Sequence, residues 1–302
     1  MTNAQWNPGS DHGADAVHND AGLRAFWREF FCDASEQSRV LDIACGEGSA
    51  TAAVVGKNSL IIGLDISLDA LRVFGAGGKK YSVCGRSAVP PLADGGFDFV
   101  VSQFGVEYGG GDAFDEAVRL LAPGGRLAFI IHYKGGSIWN EVAGRRAEIE
   151  ALDTAGPFLG VARSYVAALF AVERGGGSAA RAREEAARFK PILAEVQTLA
   201  QKPGHHLAAH LVGGVQTLLA NRAGYILEDI TGWLTQMEKE LDAGRARIEA
   251  MLTAAQSRES IKAIAARYSE AGLSVSPLDD ITLDGRDRPA AWILKAARQA
   301  FD

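Results

Sequence analysis

Between residues 39 and 132, short apolar runs alternate with segments of helical spacing. "RVLDIA" (39–44), "SLIIGLD" (59–65), "KYSVC" (80–84), "FDFVVSQF" (97–104) and "RLAFIIH" (126–132) have the length and near-continuous apolar character of buried strands. "SATAAVV" (49–55), "SLDALRVF" (67–74) and "DAFDEAVRLL" (112–121) between them read as helices, with Ser67 capping the second and "APGG" (122–125) ending the third. Upstream, Leu23, Phe26, Trp27, Phe30 and Phe31 recur at helical spacing behind a cap at Asn19 or Asp20, while the first 20 residues look irregular. Strands that alternate with helices predict a parallel sheet covered on both faces.

The rhythm then changes. From Gly135 to Gly272 no strand is expected and the period is helical. Ile226, Ile230, Trp233, Met237, Leu241, Ile248 and Leu252 share one face of the clearest helix. Breaks at Gly156-Pro157, Gly175–Gly177, Pro203-Gly204 and Gly224 divide the segment into five or six helices. Strand character returns in "LSVSPLDDITL" (273–283) and "PAAWILKAA" (289–297), parted by the turn-like "DGRDR", and predicts a hairpin closing the sheet edge. The expected organisation is therefore an α/β domain of residues 1–134 and 273–302, interrupted between its fifth and sixth strands by an all-helical insertion, 135–272.

The turn "VLDIACGEGSAT" (40–51) carries the most informative chemistry. In an open parallel sheet, ligands bind at the carboxyl ends of the strands, where Gly46 and Gly48 would let backbone come close to a ligand. A dinucleotide site wants a third glycine or alanine, but Thr51 stands there. Asp42, just before the turn, would repel a pyrophosphate and suits a positively charged ligand.

The pattern resembles the first motif of class I S-adenosylmethionine-dependent methyltransferases. The resemblance continues in "IIGLD" (61–65), in "VPPLADGGFDFVVSQFGVEY" (89–108) and in "RLLAPGGRLAFIIH" (119–132), so it covers about residues 38–132 in four ordered motifs. It implies a Rossmann-like, seven-stranded, mostly parallel sheet with helices on both faces, and S-adenosyl-L-methionine as cofactor. It assigns Asp42, Ala44, Cys45, Gly46 and Gly48 to the cofactor-binding turn. Asp65 falls where the family binds the ribose hydroxyls, with Ile66 beside it, and Gln103 and Phe104 leave the fourth strand against the cofactor. Where the family often has an acid for the adenine amino group, this chain has Arg86 and Ser87. Arg86 cannot accept that hydrogen bond, but it can stack on the ring. Cys45 reads as a small residue required by the turn, since methyl transfer needs no enzyme nucleophile.

Groups facing the methyl should come from the ends of the fourth and fifth strands. These positions hold Glu107, Tyr108 and His132, the candidate catalytic residues, with His132 suited to base work near neutral pH. His206 and His210 are four apart but lack a third ligand nearby, so no metal is expected. His12 and His18 lie in the irregular N-terminal segment. The insertion follows the fifth strand directly and brings Trp139, Phe158, Tyr165, Phe170 and Trp233, as expected for a substrate cap or a dimer interface.

Composition adds limits. The chain has 302 residues, 47% hydrophobic, with a formal net charge of −6, which argues against a general nucleic-acid binder. Cys32, Cys45 and Cys84 form no CxxC pair, so neither zinc nor a disulfide framework is indicated. No basic segment followed by an apolar core opens the chain, and no apolar run could span a bilayer. The expectation is a cytoplasmic enzyme that methylates a small-molecule acceptor, without nucleic-acid or membrane partners and with a homodimer possible. A peptide or protein methyltransferase and a non-catalytic S-adenosylmethionine-binding protein are the alternatives.

Overall fold

A computed structural model describes residues 20–54, 59–76 and 80–300. The chain divides into two compact units. One contains Glu141–Glu249; the other runs up to Asn140 and resumes at Ala250.

The second unit holds the sheet. Five parallel strands, β1 (Arg39–Ile43), β2 (Leu60–Asp65), β3 (Lys80–Cys84), β4 (Phe97–Gln103) and β5 (Leu121–His132), lie in the order β3-β2-β1-β4-β5. The sheet continues with β8 (Ala291–Arg298), antiparallel to β5, and then β6 (Leu273–Val275). A short β7 (Asp279–Ile281) also pairs with β8. Strand order reverses between β1 and β4, which makes the carboxyl ends of those strands the crevice for a ligand.

The edge predicted as one long strand, 273–283, is two short ones. The last bond of the first piece is Ser276 N–H to Lys295 O at 3.0 Å. Pro277 then has no N–H to donate, so the ladder breaks there. The Pro-Gly-Gly stretch at 123–125 is a second irregularity. It lies inside β5, where the pairing jumps from Phe97↔Leu121 to Phe99↔Arg126.

Both faces of the sheet are buried, because neighbouring strand residues point to opposite cores. Leu41, Ile43, Val100, Phe129 and Ile131 face one cluster. It is covered by α3 (Gly110–Leu120) and α9 (Arg258–Glu270), which meet where the Tyr268 hydroxyl donates to Phe114 O at 2.9 Å. Val40, Ile61, Val101 and Ile130 face the other cluster, covered by α1 (Ala21–Phe30) and α2 (Leu68–Phe74). Asp20 caps α1 by accepting from Leu23 N–H, and Ser67 caps α2 by accepting from Ala70 N–H. The alternative cap, Asn19, lies outside the described residues.

The helix expected over 49–55 is not formed in the described part. Residues 46–54 are turns held by bonds such as Gly48 N–H to Cys45 O and Val54 N–H to Thr51 O. Gly46 and Gly48 have positive φ, and the Thr51 hydroxyl bonds Gly48 O, competing with helical backbone bonds. Residue 55 lies outside the described residues.

The other unit is helical. It comprises most of α4 (Ser137–Ala155), then α5 (Phe158–Glu173), α6 (Ala179–Ala200), α7 (His206–Ala220) and most of α8 (Leu227–Ala254). Each break falls at the glycines and prolines that predicted it. Its core packs Ile149, Phe158, Val166, Phe189, Leu211, Ile230 and Met237. Ile226, expected on the buried stripe of α8, is exposed just before the helix begins. Glu148 is buried and accepts from Ala208 N–H at 2.9 Å, in the first turn of α7. This unit is narrower than the insertion expected over 135–272. α9 carries its apolar residues Ile261 and Ile264 into the core of the sheet instead. No single helix among the described residues is long and apolar enough to cross a membrane. α4 and α5 qualify only as a pair bent by 47°, and their residues Ile149, Leu152, Phe158 and Leu159 lie in the core of the unit.

Candidate functional site

The glycine turn sits at the end of β1, and its backbone is left-handed at Ala44 (φ +51°), Gly46 (+52°) and Gly48 (+93°). A Cβ on Gly46 would meet no heavy atom within 4 Å, so the turn opens onto free space there. Asp65, at the end of β2, closes this cradle. Its Oδ2 accepts from Gly46 N–H at 2.9 Å and its Oδ1 from Ser67 N–H at 2.8 Å. A carboxylate offers about four lone-pair sites, so each oxygen can take one bond more. Ile66 follows with 72% of its surface exposed.

Asp42 lies under the turn, only 1% exposed. Burial holds its carboxyl well above the usual carboxylate range, while the Thr51 hydroxyl, 3.4 Å away, and Lys80 oppose the shift. Cys45 is also buried, and burial pushes its thiol up, so it stays protonated and is no nucleophile.

The ends of β4 and β5 form the other wall. Ser102 is fully buried; its hydroxyl donates to Ile43 O at 2.6 Å and accepts from Val106 N–H at 2.9 Å, tying β1 to the 3-10 turn Val106–Gly109. Gln103 Oε1 accepts from the indole N–H of Trp27 at 2.6 Å. An indole N–H only donates, so the Gln103 NH2 group is left for another partner. Phe104 has φ +56°, a conformation rare and costly for a bulky residue, and its N–H bonds Ile130 O at 2.7 Å. Gly105 is required next to it, because a Cβ there would come within 2.6 Å of Ala44 Cβ.

Glu107 and His132, 25 residues apart, meet in this wall. Glu107 is 2% exposed, and its Oε1 lies 2.8 Å from His132 Nδ1 while accepting the His132 backbone N–H at 3.0 Å. The His132 ring packs against Phe104, with centroids 4.5 Å apart, and meets Tyr108 edge to face at 6.1 Å. Tyr108 keeps 47% of its surface exposed.

Arg86 is exposed and Ser87 half-buried, its side chain filling the place of a Cβ on Gly109. His210 lies in the helical unit near Trp233, its imidazole lowered by burial. His12 and His18 lie outside the described residues. Among the described residues no group of three or more His, Cys, Asp and Glu could hold a metal ion. Two neighbours of these residues were not singled out from the sequence, Trp27 and Ser102. Only the extra aromatic content of α1 hinted at the first.

A doubly wound sheet with a left-handed glycine turn after its first strand and an acid ending its second is an open α/β architecture whose ligands bind at the carboxyl ends of the strands. Residues 41–129 match the family described as a methyltransferase domain. The demethylmenaquinone methyltransferase of Corynebacterium kroppenstedtii is 32% identical over 111 residues, 35% of this chain and 48% of that protein. The ubiquinone/menaquinone biosynthesis C-methyltransferase UbiE of Haemophilus ducreyi is 32% identical over 121 residues, 35% of this chain and 47% of that protein. A SAM dependent methyltransferase from Aquifex aeolicus of known structure is 17% identical, over 43% of this chain and 75% of that one, with a TM-score of 0.35. The chain spans about half the length of the curated relatives it matches. The match is thus to a methyltransferase domain within residues 41–129.

Proposed function

We propose that this protein transfers a methyl group from S-adenosylmethionine to a small-molecule acceptor at the carboxyl ends of β1, β2, β4 and β5. The observation that carries the reading is the open face of Gly46 beside the Asp65 carboxylate, a cradle that a Cβ would fill. These residues fit the cofactor. Gly46 admits its close approach, with Ala44, Cys45 and Gly48 completing the turn and Asp42 supporting it from below. Asp65 has the lone pairs to hold two ribose hydroxyls. Ile66 offers an exposed apolar surface for the adenine, with Arg86 and Ser87 at its edge. Gln103 presents an amide NH2 to an oxygen. When bound, the cofactor supplies a methyl group already activated on a positively charged sulfonium. The protein's part is to hold the partners in line and to exclude water.

His132, Glu107 and Tyr108 belong to the acceptor side of this reading. The curated relatives, named for quinone substrates, support a small-molecule acceptor. The helical segment is proposed to enclose that acceptor, because it follows soon after His132, the last residue of β5, in the chain. A folded chain lacking 141–249 that still methylates at the parent rate would overturn the enclosing role.

Calorimetric titration with S-adenosylmethionine tests the core of the proposal. Asp65→Asn keeps the shape and removes the charge, and should weaken binding by about tenfold or more. Undiminished affinity in this variant rejects the site.

A further inference from the structure

Resting on that reading, we infer that His132 and Glu107 form a proton-accepting pair for an acceptor whose nucleophilic oxygen belongs to an acidic hydroxyl on a planar system, a phenol or an enol.

Glu107 Oε1 dictates the tautomer. It already accepts the His132 backbone N–H at 3.0 Å, so it is the acceptor in the 2.8 Å contact as well, and the proton lies on Nδ1. In a neutral imidazole the other nitrogen is then an acceptor. Nε2 sits on the ring edge opposite Nδ1 and has no partner among the described residues. It is set to receive a proton, not to give one.

Among the described residues the Glu107 carboxylate hydrogen-bonds His132 alone, and it acts through it, as a positioning residue. Its other oxygen, Oε2, is buried without a hydrogen-bond partner among the described residues. A buried carboxylate so thinly compensated is costly, and a positive charge on the neighbouring ring relieves that cost. The site is therefore built to gain an imidazolium. In the step itself the acceptor O–H bond breaks and Nε2–H forms. The bond pair stays on the oxygen, and the new positive charge lies against Glu107.

The geometry also selects the class of hydroxyl. A phenol or an enol gives up its proton far more readily than an alcohol or water does. A water-like hydroxyl is far too weakly acidic. Phe104 and Tyr108 flank the imidazole, and Tyr108 leaves a flat apolar surface exposed. Those walls suit a planar ring.

The probe is 4-nitrophenol, whose phenolate absorbs in the visible. It is titrated with the full-length protein at a pH below its own pKa. Binding to the parent should raise the phenolate band. His132→Asn should abolish that rise, and Glu107→Gln should move it to higher pH, with apparent affinity for the phenolate reduced by about tenfold. Tyr108→Ala should weaken binding and keep the ionisation. Circular dichroism and calorimetric binding of S-adenosylmethionine check each variant. Should Glu107→Gln not fold, the His132→Asn comparison carries the same decision. A parent that binds S-adenosylmethionine but never ionises the probe overturns this inference alone, as does a phenolate band that survives His132→Asn. A parent that does not bind S-adenosylmethionine overturns the proposed function instead.

Discussion

Alanine at Gly46 and alanine at Gly48 should have opposite consequences, although both glycines belong to one turn. At Gly48 φ is +93°, and a Cβ would lie 2.8 Å from Phe74 Cδ2, 3.0 Å from Phe74 Cε2 and 3.1 Å from Lys80 Nζ. Phe74 cannot retreat, because its far edge already fills the space over Gly63, where a Cβ would come within 2.6 Å of the ring. The left-handed backbone costs roughly 1–2 kcal/mol and overpacking about 1–3 kcal/mol more. Gly48→Ala should therefore lose about 2–5 kcal/mol of stability. At Gly46 φ is +52° and nothing stands within 4 Å of the added carbon, so only the backbone cost of about 1–2 kcal/mol remains. That carbon projects into the proposed cofactor cradle. Gly46→Ala should stay folded but bind S-adenosylmethionine weakly. Urea unfolding without ligand, with unchanged m-values, measures the first effect, and calorimetry the second. If Gly48→Ala is as stable as Gly46→Ala, the Phe74 clamp is not rigid. If Gly46→Ala binds the cofactor as the parent does, the open face is not the cradle.

Three further outcomes follow from buried polar contacts. Burial, ahead of smaller opposing effects, raises the Asp42 carboxyl in the folded state above its unfolded value, so its charge costs stability at pH above the unfolded carboxylate range and nothing in acid. Asp42→Asn should thus be more stable than the parent at neutral pH, and urea midpoints across a pH series should converge below about pH 4. Trp27→Phe deletes the 2.6 Å bond that fixes the Gln103 amide; stability should fall by about 1 kcal/mol, with a measurable loss of cofactor affinity by calorimetry. Glu148→Ala strands the Ala208 N–H inside the helical unit at a cost of about 1–3 kcal/mol, whereas Glu148→Gln keeps an acceptor there and should recover most of it in thermal unfolding.

Much of the fold is legible in order and period alone. The five parallel strands, the glycine turn and the breaks between helices depend on features that act over a few residues. These are the apolar runs, the positive φ that glycine permits, and the N–H that proline lacks. Asp65 was singled out by the family resemblance, and it does end β2 beside the turn, accepting from Gly46 N–H. The residues after Gly48 were not legible. Their Ser, Ala and Thr content fits a short helix, and only the Thr51 hydroxyl bonded to Gly48 O, beside buried Asp42, shows why they turn instead.

Tertiary structure alone decided three things. An amphipathic pattern says that α9 has an apolar face but not which core receives it; Ile261, Ile264 and Tyr268 join the sheet. The left-handed Phe104 depends on Ile130 O and on the crowded Gly105–Ala44 contact, neither of which is local. Sequence could name Glu107 and His132 only separately, as candidate catalytic residues. Their pairing across 25 residues, and that of Trp27 with Gln103 across 76, exists only because parallel β4 and β5 align their ends and α1 packs beside them. Sequence-local forces choose an element and its turns. Which side chains share a proton is set by packing between elements far apart in the chain, and the sheet register places them within hydrogen-bond reach.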